Sequence, residues 1–424
     1  MNILVVGGGG REHALCYKLA QSEKCEKLFC LPGNPGIAEI AECVENISVE
    51  DIDGIVKKAK ELAIDLVVVG PEVPLTLGLA DALEKENIKV FGPKKNAAIL
   101  EGSKSFSKNL MKKYNIPTAK YEVFTDATAA KDYIKKEGAP IVIKADGLAA
   151  GKGVTVAATV EEAIQAVDAI MVDETFGSAG ASVVIEEFME GEEASLLAFT
   201  DGETIIPMIP SQDHKRVFDG DKGANTGGMG SYAPAPVMTE KLIAEATEKI
   251  LKPTVAAMKK EGRKYQGCLY AGLMITSEGA KVVEFNARFG DPETQVVLPL
   301  LENDLVEVML ACAQGNLKNI SLSWKKEAAV CFVVASKGYP GSYEKGKVIE
   351  GLDSAKNAGH LVFHAGTKSK DGKIVTAGGR VLNIVDMGKN IREARDKAYD
   401  GVALVKFDGA FSRKDIAHRA LERE

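Results

Sequence analysis

Residues 141–159 read IVIKADGLAAGKGVTVAAT, and the reading of its three glycines and two lysines decides the local fold. A Walker phosphate loop needs Gly, four spacers, Gly-Lys and then Ser or Thr, between a strand and a helix. Here only three residues separate Gly147 from Gly151, and Gly153 follows Lys152, so the hydroxyl that would meet Mg²⁺ is missing. The flanks IVIK and VTVAA are β-branched runs that read as strands. Two strands joined by a glycine loop form a hairpin, which cannot aim a helix N-terminus at a phosphate. It can fold over one as a mobile flap, with backbone N–H groups and Lys152 pointing down.

On the N-terminal side, the first hundred residues alternate strand and helix. NILVVGG, KLFCL, LVVVG and VFGP are apolar runs without alternation, separated by helical segments such as REHALCYKLAQS and SVEDIDGIVKKAKEL. That pattern predicts a doubly wound parallel sheet buried on both faces. The loops GGGGREH, PGNPG, GPEVPL and FGP follow strands, so they line the carboxyl edge where open α/β sheets bind ligands. Gly7-x-Gly9 and Gly8-x-Gly10 give only half a dinucleotide fingerprint, since Glu12 or His13 stands where the third glycine belongs. No acid is placed to take a ribose hydroxyl after the second strand. Gly9, Gly10 and Arg11 can still meet a phosphate at the helix start; a solvated first helical turn is the alternative.

Beyond residue 102 the pattern changes. SKSFSKNLMKKYNIP predicts a helix, YEVF a strand, and DATAAKDYIKKEG a helix capped by Asp126. SVVIEEFMEGEEASLLAFTDGETIIPM reads as antiparallel strands, so this stretch forms an α+β module around the hairpin. TEKLIAEATEKILKPTVAAMKKEG predicts a long helix, followed by the strands CLYAGLMIT and AKVVEFNARFG. After residue 325 a small β-rich domain closes the chain.

Bulk composition narrows the class. A net charge of −7 lacks the basic excess of a nucleic-acid surface, so no nucleic-acid partner is expected. No window approaches the ~20 apolar residues of a membrane span. The seven cysteines are odd in number and form no CxxC pair, which fits reduced thiols in the cytoplasm.

Three features carry chemistry. Glu284 and Asn286 lie two apart on one strand, hence on one face. Hard oxygens of this kind suit Mg²⁺, which leans on phosphates and water; a Glu284 paired with a surface lysine is the bland alternative. Lys144 ends a buried strand, which is costly unless an anion neutralises it; with Lys104 and the flap it describes a clamp for ATP. In VVIEEFMEGEEA, the Glu187 carbonyl and Met189 N–H can read an adenine edge, and Glu193 can take ribose hydroxyls, unless the segment is merely a solvated acidic turn.

The succession of Lys104, Lys144 with its flap, EEFMEGEE and EFN resembles the ATP-grasp superfamily of carboxylate–amine ligases. GGGGREHAL, PGNPG, GPEVPL, KADGLAAGKGV, SQDHKR, GANTGGMGSYAPAP and above all RFGDPETQ resemble the glycinamide ribonucleotide synthetase family, essentially end to end. The resemblance implies an N-terminal α/β domain over residues 1–101 and an ATP-grasp domain over 102–325, with its lid at about 119–190. A C-terminal domain over 326–424 follows, and no larger multifunctional version is expected. It also implies ligation of glycine to 5-phosphoribosylamine with ATP and Mg²⁺ or Mn²⁺, a cytoplasmic step of purine biosynthesis run by a monomer or weak dimer. Lys104 and Lys144 would meet the phosphates, Glu186, Glu187, Phe188 and Met189 the adenine, and Glu193 its ribose. Glu284 and Asn286 would hold the metal, and Lys144, Lys152, Arg288 and Asp291 would serve catalysis. Gly9, Gly10, Arg11 and Glu72 would bind the sugar phosphate, and Asp213, Lys215, Arg216, Arg288 and Asp291 glycine and the intermediate. One departure stands out: the strand before EFN, CLYAGLMIT, lacks the extra metal-binding acid that many superfamily members carry.

Overall fold

A computed structural model describes residues 1–149, 153–173 and 175–423. The N-terminal sheet is parallel, in the order Glu42–Cys43, Lys27–Pro32, Asn2–Gly7, Leu66–Val69, Lys89–Phe91. Its central strands are covered on both faces, with Ile3, Leu4, Val5 and Val6 fully buried, as their unalternating runs require. The chain reverses direction across the sheet between Asn2–Gly7 and Leu66–Val69, so the loops after these two strands flank one crevice. Arg11 and Glu72 therefore approach each other from separate loops. GPEVPL is not wholly a loop: helix Glu72–Leu77 begins inside it, with Pro74 in the first turn, where its missing N–H has no helical partner to lose.

Helices Lys95–Gly102 and Lys104–Lys113 join this unit to the rest, the second capped by the Ser103 hydroxyl accepting from Phe106 N. The expected hairpin is present: Ile141–Ala145 pairs antiparallel with Val154–Ala157, from Ile141 opposite Ala157 to Lys144 opposite Val154. Val183–Glu187 and Tyr121–Phe124 complete that four-stranded sheet, which packs on helices Ala127–Glu137 and Val160–Val167. The segments SVVIEE and EEASLLAFT are both strands but join different sheets. Alternating apolar residues predict an extended chain without specifying its partner. Glu192–Thr200 lies in a second antiparallel sheet, ordered Ile205–Pro207, Glu192–Thr200, Gly267–Thr276, Gly279–Asn286.

The C-terminal sheet runs Gln212–Asp213, Gly230–Ala233, Ala328–Ser336, Arg380–Gly388, Leu361–His364, so it takes in two strands from mid-chain. That sharing carries Asp213 and its neighbours against C-terminal elements. Among the described residues, no helix is long and apolar enough to cross a membrane.

Candidate active site

The lid hairpin, the second sheet, the N-terminal loops and the C-terminal sheet enclose one cavity of about 960 Å³. Gly279–Asn286 forms its floor. Strand periodicity puts Glu284 opposite Gly272 and Asn286 opposite Tyr270 on the neighbouring strand. Just before Glu284 the register slips by one residue: Leu273 pairs with Val282, leaving Val283 as a bulge. Bulges of this kind turn backbone groups out of the ladder near functional sites. Here the Val283 carbonyl accepts from Lys144 Nζ at 3.0 Å.

Lys144 is only 4% exposed, and its second partner is the Glu186 carboxylate at 2.9 Å. Glu186 also pairs with Lys108 at 2.8 Å. One buried acid thus holds two lysines, and burial depresses Lys108 to about 8 despite that partner. Lys104 approaches from the adjacent helix and donates to the Gly147 carbonyl at 3.0 Å. Burial lowers the Lys104 ammonium, with Glu284 opposing that shift and Lys144 adding to it. Asp146 ties the base of the flap to the same helix, accepting from Ser103, Ser105 and Ser182 side chains. Lys152 lies outside the described residues.

Burial pushes the Glu284 carboxyl up, but Lys215, Lys144, Lys104 and Arg288 outweigh it and hold the group below the usual carboxylate range. An anion poised among four cations, beside an amide oxygen, is a two-oxygen donor set. It fits a hard cation that takes its remaining ligands from phosphate and water. Among the described residues no group of three or more His, Cys, Asp or Glu side chains could hold a metal alone.

Arg288 projects into the cavity with Nη2 2.9 Å from Glu101, Nε 3.3 Å from Glu72 and Nη2 3.4 Å from Asn286 Oδ1. Lys215 pairs with Glu193 at 2.6 Å. Burial pushes Asp213 up to about 7 although Lys215 opposes the shift. Arg216 donates to the Gly223 carbonyl at 2.8 Å on a short two-stranded ribbon. Asp291 accepts from Gln295 at 2.9 Å and from the Arg11 backbone at 3.4 Å, and it faces Arg380 at 3.4 Å.

Most of the residues singled out from the sequence converge here: Arg11, Glu72, Lys104, Lys144, Glu186, Glu187, Phe188, Met189, Glu193, Asp213, Lys215, Arg216, Glu284, Asn286, Arg288 and Asp291 all line the cavity. Gly9 and Gly10 do not. The Gly9 N–H is taken by the Glu12 carboxylate at 2.7 Å, and Gly10 packs against Asn383 and Gln295. The cavity residues that were missed include Lys108, Glu101 and Arg380. Lys108 lies one turn after Lys104 on the same helix, and that i,i+4 spacing was a usable signal. Glu101 and Arg380 gave none, because their partners lie far away in sequence.

A hairpin lid facing an antiparallel sheet, with lysines above and a paired carboxylate and amide below, defines the ATP-grasp class. Residues 1–101, 102–294 and 329–419 match in turn the N domain, the ATP-grasp (A) domain and the C domain of phosphoribosylglycinamide synthetase. The chain belongs to the phosphoribosylglycinamide synthetase family. It is 54% identical over 421 residues to a phosphoribosylamine–glycine ligase of Halalkalibacterium halodurans, covering 99% of this chain and 97% of that protein. A chloroplastic counterpart from Arabidopsis thaliana is also 54% identical, over 98% of this chain and 79% of its own. The crystal structure of the Thermotoga maritima phosphoribosylamine–glycine ligase superposes with a TM-score of 0.86 at 37% identity, covering 98% of this chain and 100% of that one. A biotin carboxylase from Campylobacter jejuni shares the fold alone, at TM-score 0.71, 16% identity and 96% and 92% coverage.

Proposed function

We propose that the chain joins glycine to 5-phosphoribosylamine at the expense of ATP, giving glycinamide ribonucleotide, ADP and phosphate. The observation that carries this reading is the cavity in which Glu284, Asn286 and four cationic side chains lie between the lid and the N-terminal loops. A carboxylate attacking a γ-phosphoryl group brings two anions together, and fixed cations lower that barrier most when they need not reorganise. Lys104 and Lys144 meet the phosphates from the lid side, and Arg288 and Lys215 face them from the floor. Glu186, Glu187, Phe188 and Met189 frame the adenine, and Glu193 takes the ribose. Glu284 and Asn286 would hold Mg²⁺ or Mn²⁺, which would supply further neutralisation of phosphate charge.

A glycine carboxylate oxygen bonds to the γ-phosphorus as the bond to ADP breaks, giving glycyl phosphate. The sugar amine then attacks the glycyl carbonyl, phosphate leaves with the former carboxyl oxygen, and the amine nitrogen loses a proton. Asp213, Lys215, Arg216 and Asp291 contact glycine and this intermediate. Arg11 meets the sugar phosphate, and Glu72 its hydroxyls. Water would destroy glycyl phosphate, so the flap carrying Lys152 closes before the chemistry. The working organisation is an N-terminal domain over 1–101, an ATP-grasp domain over 102–325 with its lid at about 119–190, and a C-terminal domain over 326–424. The enzyme works in the cytoplasm as a monomer or weak dimer.

The test is ADP release that requires both small substrates, with ¹⁸O from the glycine carboxyl recovered in the inorganic phosphate. ADP release without glycine, or phosphate free of label, overturns the reading.

A further inference from the structure

Glu101 occupies a place that secondary structure does not favour. It sits in the last turn of helix Lys95–Gly102, where the helix dipole disfavours an acid, and it is buried. Desolvation of a buried carboxylate is a second cost. Two contacts offset both: Oε2 accepts from Ala287 N at 2.6 Å, and Oε1 meets Arg288 Nη2 at 2.9 Å. Burial still pushes the carboxyl up to about 7, with Arg288 opposing the rise and Glu72 adding to it.

The two contacts are consecutive in the chain, and they follow directly on Asn286. One carboxylate thereby fixes both the backbone leaving the floor strand and the guanidinium that follows it. Glu101 is the nearest of the partners of Arg288; Glu72 at 3.3 Å and the Phe289 carbonyl at 3.4 Å are looser. The nitrogen that Glu101 holds is also the one 3.4 Å from Asn286 Oδ1. Without this anchor the fork is free to swing toward Glu72, out of line with the floor.

We propose that Glu101 is a positioning residue for the ligase reaction: it locks Arg288 and the Ala287 backbone so that the guanidinium faces the reacting anions beside Asn286. This rests on the proposed function. Its effect must therefore pass through Arg288.

A double-mutant cycle with Glu101→Gln and Arg288→Lys tests it, read as kcat/KM for glycine at saturating ATP and phosphoribosylamine. Glutamine keeps the size and one acceptor but removes the charge, and calorimetry reports whether each variant folds. Misplacing an aligned group costs about ten- to a hundredfold. The expected result is a loss of that order in each single variant, no further loss in the double variant, and an ATP KM within about twofold of the parent. Additive losses, or a Glu101→Gln enzyme within twofold of the parent, overturn the proposal. A lowered melting midpoint with unchanged kcat/KM also overturns it, because Glu101 would then serve packing alone. A parent chain that releases no ADP with glycine refutes the ligase reading instead.

Discussion

Replacing Glu284 by glutamine separates charge from shape at the centre of the cavity. The side chain faces Gly272 across the sheet, so an amide of the same size needs no rearrangement. The change is electrostatic: Lys215, Lys144, Lys104 and Arg288 hold the carboxyl below its usual range against burial, and the amide leaves those cations uncompensated. Two consequences oppose each other in ATP binding. A lost metal ligand weakens the metal–nucleotide complex, whereas the bared cations strengthen the grip on phosphate. They do not oppose each other in the chemical step, where charge moves from the γ-phosphoryl group to ADP. Losing one preorganised electrostatic partner there costs about 3–4 kcal/mol, so kcat falls about 10²–10³-fold. Steady-state ADP release with glycine and freshly made phosphoribosylamine, titrated with Mg²⁺, measures this directly. Calorimetry with and without metal-free ATP checks the fold and shows greater stabilisation by the nucleotide in the variant, where only the bared cations act. A kcat within threefold of the parent, with unchanged Mg²⁺ dependence, removes Glu284 from the metal site.

Three further outcomes are expected. Gly10→Ala gains up to about 1 kcal/mol of helix propensity, but its Cβ would lie 2.2 Å from Asn383 Nδ2 and 2.8 Å from Gln295 Nε2. Overpacking at about 1–3 kcal/mol wins, and the melting midpoint falls; a midpoint that rises disproves the junction. Lys108→Met leaves Glu186 with Lys144 alone in a buried site, a loss of about 3 kcal/mol in unfolding free energy together with a raised ATP KM. Equal stability and KM would dismiss the triad. Burial depresses His364 to about 4, so between pH 6.5 and 4 the unfolded chain binds more protons and acid destabilises the fold. The term is fully favourable above pH 6.5 and lost as pH falls to 4. Relative to His364→Gln, the parent therefore loses about 3 kcal/mol over that window. Glu101 and Asp213, both raised to about 7, act in the opposite sense and cancel from the difference. A pH-independent difference refutes the assignment.

The elements were legible because their signals are local. Unalternating apolar runs specified buried parallel strands, and the glycine hairpin followed from β-branched flanks around a loop with no helix behind it. Asp126 and Ser103 cap the helices that follow them. Periodicity alone put Glu284 and Asn286 on one face, and residue chemistry made them an oxygen pair. What no local signal could provide was pairing between distant charges. Glu186 reads as one acid of an adenine loop; only packing shows it clasped by Lys108 and Lys144. Gly9 reads as a free phosphate donor until Glu12 is seen to occupy its N–H. Glu101, Arg288 and Arg380 come from separate segments, and they line one cavity because the fold brings those segments together. Strand and helix periods depend on neighbours a few residues away, so sequence alone determined them. The free energy of a buried charge depends on whichever opposite charge the fold delivers, and tertiary structure alone decided that.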